Sequence, residues 1–324
     1  FNQLAALFLI GIFLIGSNAY AGDLLNKYLP SKLRADLQVR YRIEYKDDFD
    51  LKDGSVDKDV YSLIRTRFGL DYAPIKQVEF YGQIQDSRVE DMKYYAESNV
   101  VHFIDFRQLY LSLNDLVPTE GLTPHSKLVF GRQSFNFGNG RLVGDPDWSN
   151  IGQTFDAGRI SFTWGNPNLK LDLFGGNLTA SKSPREANEL FDRSTKETLG
   201  GYYASWAIDK KLTVEQYLYS RKTNKNISFG PSGTGELDEY TMGGRLMAKE
   251  LHGFDYELEL AGQWGDFNDK NVSAFMGIAI LGYTFNAPWK PRVFGEYNYA
   301  SGDADPTDGT RHTFDNLYPA NHAY

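Results

Sequence analysis

From Leu33 onward the chain changes character at every second residue. Positions 33, 35, 37, 39, 41, 43 and 45 are Leu, Ala, Leu, Val, Tyr, Ile and Tyr, and between them stand Arg34, Asp36, Gln38, Arg40, Arg42 and Glu44. A period of two predicts a β-strand with one apolar and one polar face. Thirteen residues at about 3.4 Å each reach about 44 Å, enough to cross a bilayer's hydrocarbon at a tilt of about 40°. Strands of soluble sheets average only about 5–6 residues.

The pattern returns along the chain. Segment 60–72 sets Val60, Ile64, Phe68 and Leu70 against Arg65, Arg67 and Asp71, and 77–88 sets Val78, Phe80 and Ile84 against Glu79, Tyr81, Gln83 and Gln85. Segments 211–221, 239–249 and 254–264 repeat it, while 100–113, 127–136, 155–164, 169–178, 198–207, 272–285 and 291–300 alternate less cleanly. Thirteen strands are expected. Long polar connections at 47–59, 89–99, 137–154, 179–197, 223–237 and from 301 onward are separated by tight turns at 73–76, 165–168, 208–210, 250–253 and 286–290. Two further connections, 114–126 and 266–271, are of intermediate and short length. Long on one side and short on the other is the rhythm of an outer-membrane barrel.

The expected fold is all-β: a transmembrane, up-and-down antiparallel β-barrel. Bacterial single-chain barrels have even strand numbers, and an open sheet leaves unpaired edges in lipid. An odd count and an end inside a loop therefore suggest a truncated chain, the complete barrel having about 16–18 strands.

Residues 1–21 stand apart. Leu4–Ile15 is apolar apart from Gly11, and Ser17-Asn18-Ala19-Tyr20-Ala21 supplies the small residues of a cleavage site. The segment is expected to be a secretory signal peptide clipped at its start, with the barrel occupying 22–324. The alternative, a membrane anchor, needs about 20 apolar residues. A mean hydropathy of −0.45 would suit a soluble protein, but only alternate barrel residues face lipid. The 21 Tyr and 22 Phe suggest aromatic girdles, and 0 Cys excludes disulfides and thiolate metal sites. A net charge of −8 argues against nucleic acid as a partner and leaves pore selectivity to the placement of individual charges.

The polar faces carry both signs. Arg40, Arg42, Arg65, Arg67, Arg107, Arg132, Arg159 and Arg245 are expected to line a basic path, with Asp36, Glu44, Asp71, Glu79 and Asp86 among them. Guanidinium keeps its charge in a constriction and binds carboxylates bidentately, so the path suits an anionic solute. A salt-bridged lumen of an ordinary porin would use the same residues. Alternation is locally broken at Arg107 and Arg132, which leaves their direction open. Acidic runs at 47–59 and 303–308 offer oxygen ligands for Ca²⁺, but the second lacks the spacing of a calcium loop, and solvated loop charge is the preferred reading. The five His are scattered, no Ser–His–Asp or zinc set is legible, and neither catalysis nor a cofactor is expected.

One stretch is more specific than period two. The run FGRQSFNFGNGRLVGDPDWSNIGQTFDAGRI at 130–160 resembles the alginate-export family of outer-membrane barrels. DFRQLYL at 105–111 looks like that family's Arg-bearing strand, and YNYASGDADP at 297–306 with FDNLYPANHAY at 314–324 looks like its later loop signature. The resemblance implies a monomeric barrel passing an anionic polysaccharide through an Arg-lined constriction, with Arg107, Arg132 and Arg159 at motif positions. Asp156 would partner Arg159, although alternation turns it away. Gly131 is expected to relieve crowding at a strand bend. Trp148 is expected to be an interfacial anchor in preference to a sugar-stacking platform. The expected partners are the bilayer with its lipopolysaccharide and an anionic oligo- or polysaccharide, and the need for a periplasmic secretion complex stays open. Two other readings stay open: a generic nutrient porin, and a barrel whose long loops form an adhesin or receptor surface.

Overall fold

The computed structural model describes residues 18–20, 25–46, 58–93, 101–116, 124–165, 168–179, 194–229 and 232–320. Most of the expected leader, the acidic stretch 47–57 and the connection 180–193 lie outside the described residues. Strand β1 (Asn18–Tyr20) pairs beside β2 (Leu33–Lys46), which is followed by β3 (Asp59–Ile75), β4 (Val78–Glu90), β5 (His102–Asn114), β6 (His125–Gln133) and β7 (Phe155–Trp164). Then come β8 (Leu169–Thr179), β9 (Ser194–Ala207), β10 (Leu212–Ser228), β11 (Thr234–Leu251), β12 (Phe254–Phe267), β13 (Lys270–Thr284) and β14 (Arg292–Ala300). The two-residue β15 (Thr310–Arg311) lies parallel to the start of β13. Strand order is chain order, each neighbour antiparallel to the next, so the thirteen long strands correspond one for one to those expected.

The long strands are two-faced up to β13, whereas β14 is exposed along its whole length. Along β3 the odd residues Tyr61, Leu63, Arg65 and Arg67 are buried, while Val60, Leu70 and Tyr72 stand exposed on the other face. Residues directly opposite in an antiparallel pair share a face, so register carries this inside and outside from strand to strand. The outer face has aromatic residues near both ends of the strands. Tyr72 and Phe80 stack at 6.4 Å beside the β3–β4 turn, and Tyr240 and Trp264 stack at 5.9 Å toward the opposite end of β11 and β12. Two such belts suit the two interfaces of a bilayer.

The inner face is filled by chain rather than left empty. Residues 134–154, with 137–154 expected as an external loop and 134–136 as strand, turn inward from the end of β6, and residues 301–320 turn inward after β14. The two segments meet through backbone hydrogen bonds: Gly144 N to Tyr318 O at 2.9 Å, Tyr318 N to Leu142 O at 2.9 Å and Ala320 N to Gly140 O at 2.8 Å. Segment 134–154 also reaches both walls, touching β2–β5 through Asp145–Asn150 and β12 through Arg141. A sheet whose distant strands grip one segment is curled around it.

Aromatics contribute to this filling as well as to girdles. Phe135 and Phe137 enter a buried cluster with Phe155, Phe174, Tyr203, Tyr217 and Tyr219 on the inner face of β7–β10. At β10–β11 the expected long loop 223–237 is largely strand, and the turn closes with Phe229 N to Gly233 O at 2.9 Å. Polar composition suggested a loop, but above the membrane a hairpin needs only backbone pairing and a small apolar cluster. Leu237, Phe267 and Val272, with Phe229 against Phe267, supply that cluster.

The departure of segment 134–154 opens a seam in the wall. β5–β6 pairing stops at Leu109 opposite Arg132, where Gly131 adopts φ 128° and a Cβ would stand 2.4 Å from the Leu109 carbonyl. Crowding at a strand bend thus requires glycine here. Gly131→Ala should destabilise the folded form by about 1–3 kcal/mol, the usual cost of strained backbone. A denaturant midpoint followed by the heat-modifiable gel mobility of the barrel would read this out, with Gly302→Ala, whose Cβ meets nothing within 4 Å, as the neutral control.

Candidate functional site

Five of the expected arginines converge. Arg40 stands directly opposite Arg65, and Arg67 opposite Gln38 on one side and Gln85 on the other. Like charges directly opposite repel, so this arrangement needs compensating anions. Arg107 joins from β5, where a register shift beside Gln83 resolves its direction. Through that bulge both Arg107 and Gln108 turn inward and donate to Gln83 Oε1, at 3.0 and 3.4 Å.

The compensating groups come from the inward segment. Arg67 Nη1 lies 2.6 Å and Arg65 Nη2 3.0 Å from Asp147 Oδ1, and Arg107 pairs with Asp145. Arg40 donates to the carbonyls of Asp147 at 2.5 Å and Ser149 at 2.7 Å, and Arg65 Nη1 donates to the same two oxygens. Arg42 donates to Trp148 O at 2.6 Å and pairs with Glu44 at 2.6 Å. Among the described residues, five guanidiniums thus meet three carboxylates, a local excess of two positive charges. Burial pushes the Asp147 carboxyl up, but Arg67 and Arg65 outweigh it and hold it below its ordinary range. Trp148, 55% exposed, lies on this segment with its ring 4.5 Å from the Arg42 guanidinium. The expectation of an interfacial anchor is therefore corrected: its neighbour is a lumen arginine, because the whole segment folds inward.

The other expected residues lie elsewhere. Arg132 falls on the outward register with Leu109 and Phe130, the latter 70% exposed. Its guanidinium closes the seam, donating to Asp156 (Nε–Oδ1 2.8 Å, Nη2–Oδ2 3.2 Å) and to the Phe106 carbonyl at 3.2 Å. Asp156 thus partners Arg132 rather than Arg159, as alternation required. Arg159 instead meets Asp172 at 2.9 Å and stacks over Phe137, and Arg245 is held by Glu215 at 3.0 Å and Glu257 at 2.8 Å on the β10–β12 wall. Among the carboxylates, Glu79 pairs with Lys127 at 3.1 Å, and Asp71 stands opposite Arg34. Both are inward but closer to the short turns than the five-arginine site. Asp86 is on the outward face with Ile84 and pairs with Arg88 at 2.6 Å. It is not a lumen carboxylate.

Three arginines outside the expected set prove as well placed. Arg141 crosses from the inward segment to Glu257 at 3.0 Å and to Glu259. Arg221 joins Glu197 at 2.7 Å to Asp315 at 2.5 Å, and Arg311 pairs with Glu239, both fully buried. Arg141, Asp145 and Asp147 all stand in the run that carried the family resemblance, so a signal for them existed. Arg311 lies in an irregular connection, where periodicity says nothing.

The family's sequence model, described as "Alginate export", matches residues 31–324. The chain belongs to the alginate-export family. Its place is accordingly the bacterial outer membrane, where it forms a channel of the β-barrel class. Comparison with curated proteins finds no match. Among solved structures, Salmonella typhi OmpF in complex with daunomycin shares 10% identity, with 87% of this chain and 95% of that one covered at a TM-score of 0.41. OmpT of Vibrio cholerae shares 13% over 89% of this chain and 95% of its own at 0.35, and the channel DcaP of Acinetobacter baumannii 13% over 89% and 94% at 0.34.

The sign of the Asp147 shift fixes a pH response. A carboxyl whose folded-state pKa is depressed contributes attachment that is complete above its unfolded value, about 3.9, and is lost as pH falls through the folded one. The part of the single-channel conductance in planar bilayers that depends on Asp147 should be flat between about pH 7 and 5 and change only on an acid limb below about 3.9. In Asp147→Asn most of that acid step should disappear.

Proposed function

We propose that this member of the family passes anionic saccharides or other small anions, with the Arg40, Arg42, Arg65, Arg67 and Arg107 cluster as the selective element. The observation that carries the reading is the positive excess of that cluster, set on the rigid wall of β2, β3 and β5. Charge enclosed by low-dielectric walls focuses its field into the lumen and raises the local concentration of the opposite ion. Rings of Arg or Lys select anions in pores on this basis. The guanidinium fork matches a carboxylate bidentately, and the family's description as alginate exporters supports a uronate polymer as the solute. Weak binding at several arginines in turn, rather than tight binding at one, is what passage requires.

The test is ion selectivity under a salt gradient in planar bilayers. The expected result is anion preference that falls toward neutrality in Arg67→Ala/Arg107→Ala. Cation preference unaltered by that double substitution would reduce the protein to a porin without an anion-selective element.

A further inference from the structure

The arginine cradle offers more donors than its present occupant uses. Arg40, Arg65, Arg67 and Arg107 are all buried, yet Arg40 Nε, Arg65 Nε, Arg67 Nη2 and Arg107 Nε meet no acceptor among the described residues. Two of these, Arg67 Nη2 and Arg107 Nε, converge on Gly152, where a Cβ would stand 3.1 and 3.3 Å from them and φ is 84°. The occupant itself is a short segment, Gly144–Asn150, that presents two carboxylates and four carbonyls to the wall. The middle of this segment is accessible among the described residues. The Asp147 side chain is half-exposed, and Trp148 beside it is exposed. A buried site filled by an accessible occupant is the arrangement of a ligand that can be competed away.

Resting on the anion-channel reading above, we propose that Asp145 and Asp147 are a self-supplied anionic ligand, and that an entering oligouronate replaces them carboxylate for carboxylate, lifting segment 144–150 off the wall. Exchange keeps the buried guanidiniums compensated at every stage. An empty cradle would leave Arg40 facing Arg65 with no counter-charge, which is strongly unfavourable in a buried setting. The occupant therefore holds the cradle in its binding geometry until cargo arrives, which lowers the ordering cost of binding.

Ser87 gives a direct probe. It is 0% exposed beneath the segment, its Oγ donates to Asn150 O at 2.7 Å, and the chain has 0 Cys. In Ser87→Cys, reconstituted in liposomes and checked for heat-modifiable folding, the rate of maleimide labelling reports departure of the segment. The expected rate is slow alone, at least about tenfold faster with trigalacturonate (one such factor being about 1.4 kcal/mol), and unchanged with maltotriose. The same fast rate should appear without sugar when Asp145→Asn and Asp147→Asn are added. A rate that trigalacturonate leaves unchanged, an equal acceleration by maltotriose, or slow labelling of the triple variant would each overturn the exchange. Ion selectivity of the same preparation separates the failures: with anion preference intact only the exchange falls, and without it the channel reading falls as well.

Discussion

Two guanidiniums directly across a strand pair, Arg40 and Arg65, with a third and fourth alongside, cannot be folded into a wall unless something negative faces them. Here that something is a piece of the same chain, Asp145 to Asn150. Its carboxylates and carbonyls are held by five arginines, while Ser87 and Gln85 bind the carbonyls of Asn150 and Ile151 at 2.7 Å each. Removing one partner of a buried ion pair costs about 3–5 kcal/mol, so wall and segment are conditions for each other. This mutual dependence orders the interior.

From that anchor the rest of the lumen follows. Once Asp145 and Asp147 are fixed on β3 and β5, the preceding residues must cross the lumen. Phe135 and Phe137 do so over the aromatic face of β7–β10, and Arg141 ends the crossing at Glu257 and Glu259. Segment 301–320 then pairs its backbone with 140–144 and contributes Tyr318, whose hydroxyl donates to Glu197 at 2.6 Å. The seam left where β6 quits the wall is closed by Arg132. One guanidinium there binds a carboxylate and a β5 carbonyl together. An arginine on the outward register is tolerated because all its charge is compensated locally.

The charge pattern also divides the lumen. The β2–β5 wall at the level of the inward segment is dominated by arginine, whereas the β10–β12 wall carries Glu215, Glu257 and Glu259 against Arg141 and Arg245. The segment lies between, with a negative end on the basic wall and a positive residue on the acidic one. It complements both sides with a single chain, so a change on either wall acts on the same element.

Period two, with segment length, was enough to predict the thirteen long strands, and it put Arg40, Arg65, Arg67, Arg159 and Arg245 on the face opposite the exposed apolar residues. The reason is geometric: successive side chains of a strand must point to opposite sides, and lipid accepts only one kind. The same rule favoured turning Asp156 away from Arg159. It failed where the backbone leaves the regular ladder. The bulge at Arg107, the seam at Gly131 and the inward course of 134–154 depend on which carbonyls and carboxylates meet across the sheet. Trp148, Arg132 and the bridging role of Arg141 were misplaced or overlooked for that reason, whereas Asp86 shares the parity of Ile84 and period two itself turns it outward. Alternation along one strand determined which side chains face the lumen, and only the tertiary structure decided what they face there, because long-range ion pairing depends on chain that has no period of its own.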